Sequence, residues 1–125
     1  MTTDFLAGAA SRMITPALEE QPIFLAGFQN DRRATAVHSE LYARALALRL
    51  DEQAFVLVMC DLIGLGRPDV EDIRAALAAR GVKAELVVAC THTHSGPDTI
   101  GLWGPSPDVS GVDASGASLA ARRPD

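Results

Sequence analysis

Cysteine is scarce in these 125 residues: only Cys60 and Cys90 occur, too few for a disulfide framework. Each follows an apolar run, so both are expected to be small core residues. Long hydrophobic runs are missing too. The stretch from Phe5 to Ala10 is too short for the core of a secretory signal or for a membrane span, and no basic segment precedes it at Met1-Thr2-Thr3-Asp4. A protein without a transmembrane segment, cytoplasmic by default, is expected; export stays open only if the true start lies elsewhere. Clusters of positive charge are also absent. Lys and Arg total 11 against 16 Asp and Glu, a formal net charge of -5, and they are scattered, as at Arg32-Arg33 and Arg122-Arg123. Such a surface repels phosphate backbones, so nucleic acid is not an expected partner. Oligomeric state leaves no mark on the composition.

What is present suffices for one small domain. Hydrophobic residues make up 48% and the mean hydropathy is +0.13, enough apolar surface for a core. From Phe5 to Phe28, short apolar stretches are broken by Gly8, Pro16, Pro22 and Gly27, which predicts extended segments and turns. Leu46, Leu48 and Leu50 alternate, which predicts a strand with one buried side. Asp51-Glu52-Gln53 is an interruption of hairpin length, and Ala54 to Cys60 then runs apolar without alternation, as a strand buried on both faces would.

Pro68 suits a first helical turn, Glu71 and Asp72 favour the positive helix start, and Val70, Ile73 and Leu77 recur at helical spacing. Arg80-Gly81 is a good stop. Leu86 to Cys90 is a second short apolar strand. The fold class expected is therefore α/β: a mixed sheet containing a hairpin and a strand-helix-strand parallel crossover. In such sheets the crevice at the carboxyl ends of the strands is the usual site, and Asp61 and His92 would both lie there. Beyond Pro97 the chain reads as a loop over that site, with Trp103 as its one large anchor. Residues 114–125 lack a periodic apolar face and are expected to be disordered or frayed.

Chemistry concentrates at Thr91-His92-Thr93-His94-Ser95-Gly96-Pro97. Two histidines separated by one residue in an extended segment project to the same side, roughly 7 Å apart. Neutral imidazole suits zinc, which lowers the pKa of bound water from about 15.7 to about 7 and polarises a carbonyl. Either ring could instead be a general acid or base, or simply bond loop carbonyls at the strand end. A metallo-β-lactamase pattern fails, because Asp and His should follow where this chain reads Ser95-Gly96-Pro97. A barrel amidohydrolase carries its pair on the first strand, whereas here two strands and a helix precede it.

The heptapeptide resembles the signature of the neutral and alkaline non-lysosomal ceramidase family, amino-terminal domain. Similar features are Gly8-Ala9-Ala10-Ser11-Arg12-Met13-Ile14-Thr15-Pro16, Leu25-Ala26-Gly27-Phe28, Val37-His38 followed by Tyr42-Ala43-Arg44-Ala45, Asp61-Leu62-Ile63-Gly64-Leu65, and Thr99-Ile100-Gly101-Leu102-Trp103-Gly104. The resemblance implies a zinc amidohydrolase that cleaves N-acylsphingosine to sphingosine and a fatty acid, with a lipid amide as substrate. It implies that His92 is a zinc ligand, that His94 stands beside the metal and holds substrate or the developing oxyanion, and that Asp61 is a candidate for a supporting position behind the ligands. Family members are several times longer, and their further histidine, glutamate and tyrosine ligands have no counterpart here. Residues 1–113 are thus expected to be an incomplete amino-terminal part of a larger domain, with weak zinc binding and no activity alone. The alternative is a non-enzymatic binding module that uses the loop from Gly96 to Gly111 to contact a partner.

Overall fold

The computed structural model describes residues 4–105, so the expected boundary near residue 113 and the tail 114–125 lie outside the described residues. The elements run β1 (Phe5–Met13), β2 (Tyr42–Leu50), β3 (Gln53–Cys60), α1 (Arg67–Ala79) and β4 (Glu85–Cys90). They form one four-stranded sheet in the order β1-β2-β3-β4. The first two pairings are antiparallel and β3 pairs with β4 in parallel. The expected hairpin and strand-helix-strand crossover are both present. Pairing of Leu50 with Gln53 leaves Asp51 and Glu52 as the turn, and Asp51 takes the left-handed φ of 50° that a tight reversal needs.

Local chemistry explains α1. Gly66 precedes it, and the Asp69 carboxylate accepts the Gly66 backbone N–H at 2.9 Å, so an acidic side chain satisfies a donor at the positive helix end. Pro68 occupies a first-turn position where no N–H is required. At the other end Gly81 adopts φ +78° and closes the last turn with a bond from its N–H to the Ala78 carbonyl at 2.9 Å. Val70, Ile73 and Leu77 are half-buried. No helix among the described residues is long and apolar enough to cross a membrane.

Burial departs from expectation. β2 was expected to hide its leucine face, β3 both faces, and β4 to be a short apolar strand; instead Leu46 is 41% exposed, Leu50 44%, Phe55 37% and Val87 46%. Register gives the reason. Phe5 lies opposite Leu50; Leu46 faces Ala9 and Leu57; Leu57 lies beside Val87. All these side chains share one side of the sheet, and no described element covers it. The other side carries Cys60 and Leu86, both buried, and Arg74 of α1 reaches the Leu86 carbonyl there. A continuous apolar strand implies two covering layers, and the described chain supplies one.

The rest of the core lies at the carboxyl ends of β3 and β4 rather than under the sheet centre. Ile23, Ala26, Leu62 and Ile63 are buried there. The segment around Ile23–Ala26 is tied down by Leu25 N–H to the Arg32 carbonyl at 2.7 Å, Ala34 N–H to the Ile23 carbonyl at 2.8 Å and Ala26 N–H to the Gly96 carbonyl at 3.1 Å. This is the end at which the histidine segment emerges.

Candidate active-site histidines

β4 ends at Cys90, and the chain then turns instead of continuing extended: His92 has φ +61°. The left-handed region is uncommon for a residue with a Cβ and carries a strain of about 1–3 kcal/mol. Three bonds to the segment leaving β3 hold it. The Thr91 N–H meets the Cys60 carbonyl at 2.9 Å, the His92 N–H meets the Leu62 carbonyl at 3.0 Å, and the His92 Nδ1 donates to the Ile63 carbonyl at 2.8 Å. Leu62 and Ile63 are buried, so the acceptors are fixed by packing.

His94 is held by a different loop. Its Nδ1 donates to the Ala26 carbonyl at 3.1 Å, its ring stands 4.9 Å from that of Phe28, and it lies over Gly27 so closely that a Cβ there would fall 1.8 Å from Nδ1. The His92 and His94 rings are 5.2 Å apart between centroids, nearly perpendicular. The histidines therefore do come together, although through a left-handed turn and not the strand pleat expected from their spacing.

Tautomer follows from the partners. A carbonyl oxygen can only accept, so each Nδ1 bond requires a proton on that nitrogen, and in the neutral ring Nε2 is then the nitrogen that keeps the lone pair. Orientation of a ring through Nδ1 to a backbone carbonyl is also how metal-binding imidazoles are commonly fixed. His92 is exposed and His94 half-buried. Among the described residues no group of three His, Cys, Asp or Glu side chains is placed to hold a metal ion.

Asp61 sits at the same end of the sheet, but its partners belong to β2. Its Oδ2 accepts from the Arg44 guanidinium at 2.8 Å and from the Tyr42 N–H at 3.0 Å. The Arg44 bond first, then the Tyr42 N–H, hold the carboxyl below the ordinary carboxylate range; burial acts the other way, while the Arg44 charge and the Thr91 hydroxyl reinforce the lowering. The link to the histidine segment thus runs through Thr91 and not through an imidazole. A depressed folded-state value contributes stability that is complete above the unfolded pKa, about 3.9, and is lost as pH falls through the folded value. Asp61→Asn should therefore lower the urea midpoint at neutral pH and flatten its decline below about pH 4; parallel pH profiles for both proteins would contradict this role.

Cys60 and Cys90 are adjacent across the parallel pair. Burial, followed by Cys90 and Asp61, pushes the Cys60 thiol up, and burial pushes Cys90 up. They are protonated thiols at neutral pH, neither ready ligands nor nucleophiles; Cys60 is the core residue expected, while Cys90 is half-buried. His38 bonds Ser39 at 3.0 Å and makes no ring contact with either His92 or His94 among the described residues.

The loop after Pro97 is organised by Asp98, whose carboxylate accepts the N–H groups of Ile100, Gly101 and Trp103. Thr99 Oγ1 donates to the Gly64 carbonyl, which braces this loop against the segment that orients His92. The Ile63 carbonyl, a backbone group, orients the His92 ring, and Gly27, which reads in the sequence as a chain breaker within a family-like stretch, makes room for His94. The signal for Gly27 was a glycine flanked by apolar residues, which marks close approach of a neighbouring group.

An α/β sheet with a parallel pair, carrying two adjacent imidazoles on the loop beyond the last strand, defines the class of arrangement found here. No protein-family model and no curated protein sequence matches the chain. Among solved structures it is similar to neutral ceramidase from Pseudomonas aeruginosa, with a TM-score of 0.68 and 24% identity over 78% of this chain and 16% of that one. It is also similar to a ceramidase complexed with C2, with a TM-score of 0.67 and 24% identity over 77% of this chain and 16% of that one. The mixed α/β sheet expected from the residue pattern is the one observed, and the chain spans 16% of the length of those chains.

Proposed function

We propose that this chain forms one wall of a zinc-dependent amidohydrolase site of the ceramidase type, acting on a lipid amide such as N-acylsphingosine, and that it does not catalyse the reaction alone. The observation that carries this reading is the approach of two imidazole rings, 5.2 Å apart between centroids, whose Nδ1 atoms are both committed to backbone carbonyls, so that Nε2 is the nitrogen each neutral ring has to offer a metal or substrate. That donor set fits zinc in part. A catalytic zinc takes three protein ligands and an open position, and the remainder would have to come from beyond the described residues.

When bound, zinc supplies an activated water and polarisation of the amide carbonyl. This chain's part is positioning. His92 would be a ligand through Nε2, its ring locked by Ile63. His94, braced by Ala26 and Phe28, would present Nε2 to substrate or to the oxygen on which charge develops. Phe28 is 83% exposed beside the His94 ring, which offers a lipid an apolar contact at the reacting end.

Zinc titration with a competing chelator tests the reading. The native chain should bind weakly, His92→Ala should lose at least tenfold in affinity, in line with the loss of one of very few ligands, and His94→Ala should lose less. Equal zinc in the native chain and His92→Ala would remove the metal role and favour the non-enzymatic binding module.

A further inference from the structure

Behind the histidine segment lies a cavity of about 330 Å³ that neither imidazole lines. Its walls are aliphatic: Leu18, Ile23, Leu25, Val37 and Leu41. No Asp, Glu, Lys or Arg lines it, and its polar groups are His38, Ser39, Thr15, Thr93 and Ser95. Thr93 and Ser95, on either side of His94, line the cavity, while His92 and His94 do not. Two of the hydroxyls already accept bonds: Thr15 from the Leu41 N–H at 2.8 Å and Thr93 from the Ser95 N–H at 3.2 Å. The Ser95 hydroxyl has no hydrogen bond among the described residues, and Ser95 is exposed at the cavity edge.

We infer that this cavity is a second binding site, separate from the imidazoles, for a small neutral amphiphile: a short alkyl chain ending in one hydroxyl. The volume falls at the low end of ligand pockets, about 300–1,000 Å³. The aliphatic walls take the chain, and Ser95, able to donate and accept, takes the head. An ammonium head would meet no carboxylate in the lining and a carboxylate head no Lys or Arg, with His38 bonded to Ser39, so charged analogues are disfavoured by the cost of desolvation. Because Thr93 and Ser95 flank His94, an occupant would order the backbone that carries that ring.

The test is titration of the ¹⁵N-labelled chain with 1-hexanol, hexanoate and hexylammonium at equal concentrations, followed by NMR. Saturable shifts at the Thr93 and Ser95 amides are expected for 1-hexanol, with affinity at least about tenfold above either charged analogue. Ser95→Ala should weaken 1-hexanol by about 2- to 10-fold, the worth of one net hydrogen bond. Ala36→Leu, a substitution at an exposed lining residue, should fill the cavity and abolish the shifts. Equal response to all three ligands, or binding unchanged in Ser95→Ala, would overturn the inference. The ligand comparison stands whether or not Ala36→Leu folds.

Discussion

Gly27→Ala should displace the His94 ring and destabilise the chain by about 2–3 kcal/mol. Two causes add. Gly27 holds φ +85°, and an alanine in the left-handed region costs about 1–2 kcal/mol. Its Cβ would lie 1.8 Å from His94 Nδ1 and 2.5 Å from Cε1, distances no van der Waals contact tolerates. The ring must swing away and lose both its bond to the Ala26 carbonyl and its contact with Phe28; the bond alone is worth about 1 kcal/mol. Urea unfolding reads the stability, and the imidazole ¹⁵N resonances read the tautomer, since a released Nδ1 no longer holds its proton preferentially. Gly8→Ala is the control, because nothing lies within 4 Å of a Cβ at Gly8 and a strand-interior glycine is itself unfavourable by roughly 0.5–1 kcal/mol. That variant should be neutral or stabilising. Unchanged His94 resonances in Gly27→Ala would show that the ring is not held where this contact places it.

This contact also marks how far local reading reaches. Gly66, Pro68 and Gly81 announce α1 because capping is decided within a few residues, and the strands announce themselves through runs such as Ala54 to Cys60. The parallel crossover follows from strand, helix and strand being joined in that order. His92 and His94 were legible as a pair for a local reason too, since they are two residues apart. Their supports were not. Ala26 lies 68 residues from His94 and Ile63 lies 29 from His92, and both act through backbone carbonyls, which every residue type possesses. No side-chain pattern can reveal an acceptor of that kind. Asp61 is the converse case, a side chain whose chemistry suggested the imidazoles while the antiparallel register of β2 and β3 put Tyr42 and Arg44 within its reach.

The uncovered side of the sheet carries the second large expectation. Ala9, Leu46, Leu57 and Val87 form one row across all four strands, the next row brings Ala7, Leu48 and Phe55 together and ends in Glu85, and Phe5 and Leu50 follow, with Gln53 closing that row. Contiguous exposed apolar side chains of this kind mark a surface prone to association. The native chain should therefore bind a hydrophobic dye such as ANS strongly and associate as its concentration rises. Leu46→Thr together with Val87→Thr interrupts the central row with residues that keep strand propensity. Dye fluorescence should fall severalfold. Stability should move by less than about 1 kcal/mol, because both side chains are more than two-fifths exposed and give up little packing. The pairing of a large change in dye binding with a small change in stability is the informative outcome: a loss of several kcal/mol would mean that the row is already buried, by self-association or by residues outside 4–105. Dye binding unaltered by both substitutions would mean that this side of the sheet is not the apolar surface the chain exposes. In any longer protein whose second layer covered the row, the same two threonines would each remove buried methyl groups and place a hydroxyl without a partner, a cost of about 1–3 kcal/mol apiece. The contrast between a mild effect here and a severe one there follows from the register alone, because the sheet is the same and only its covering differs.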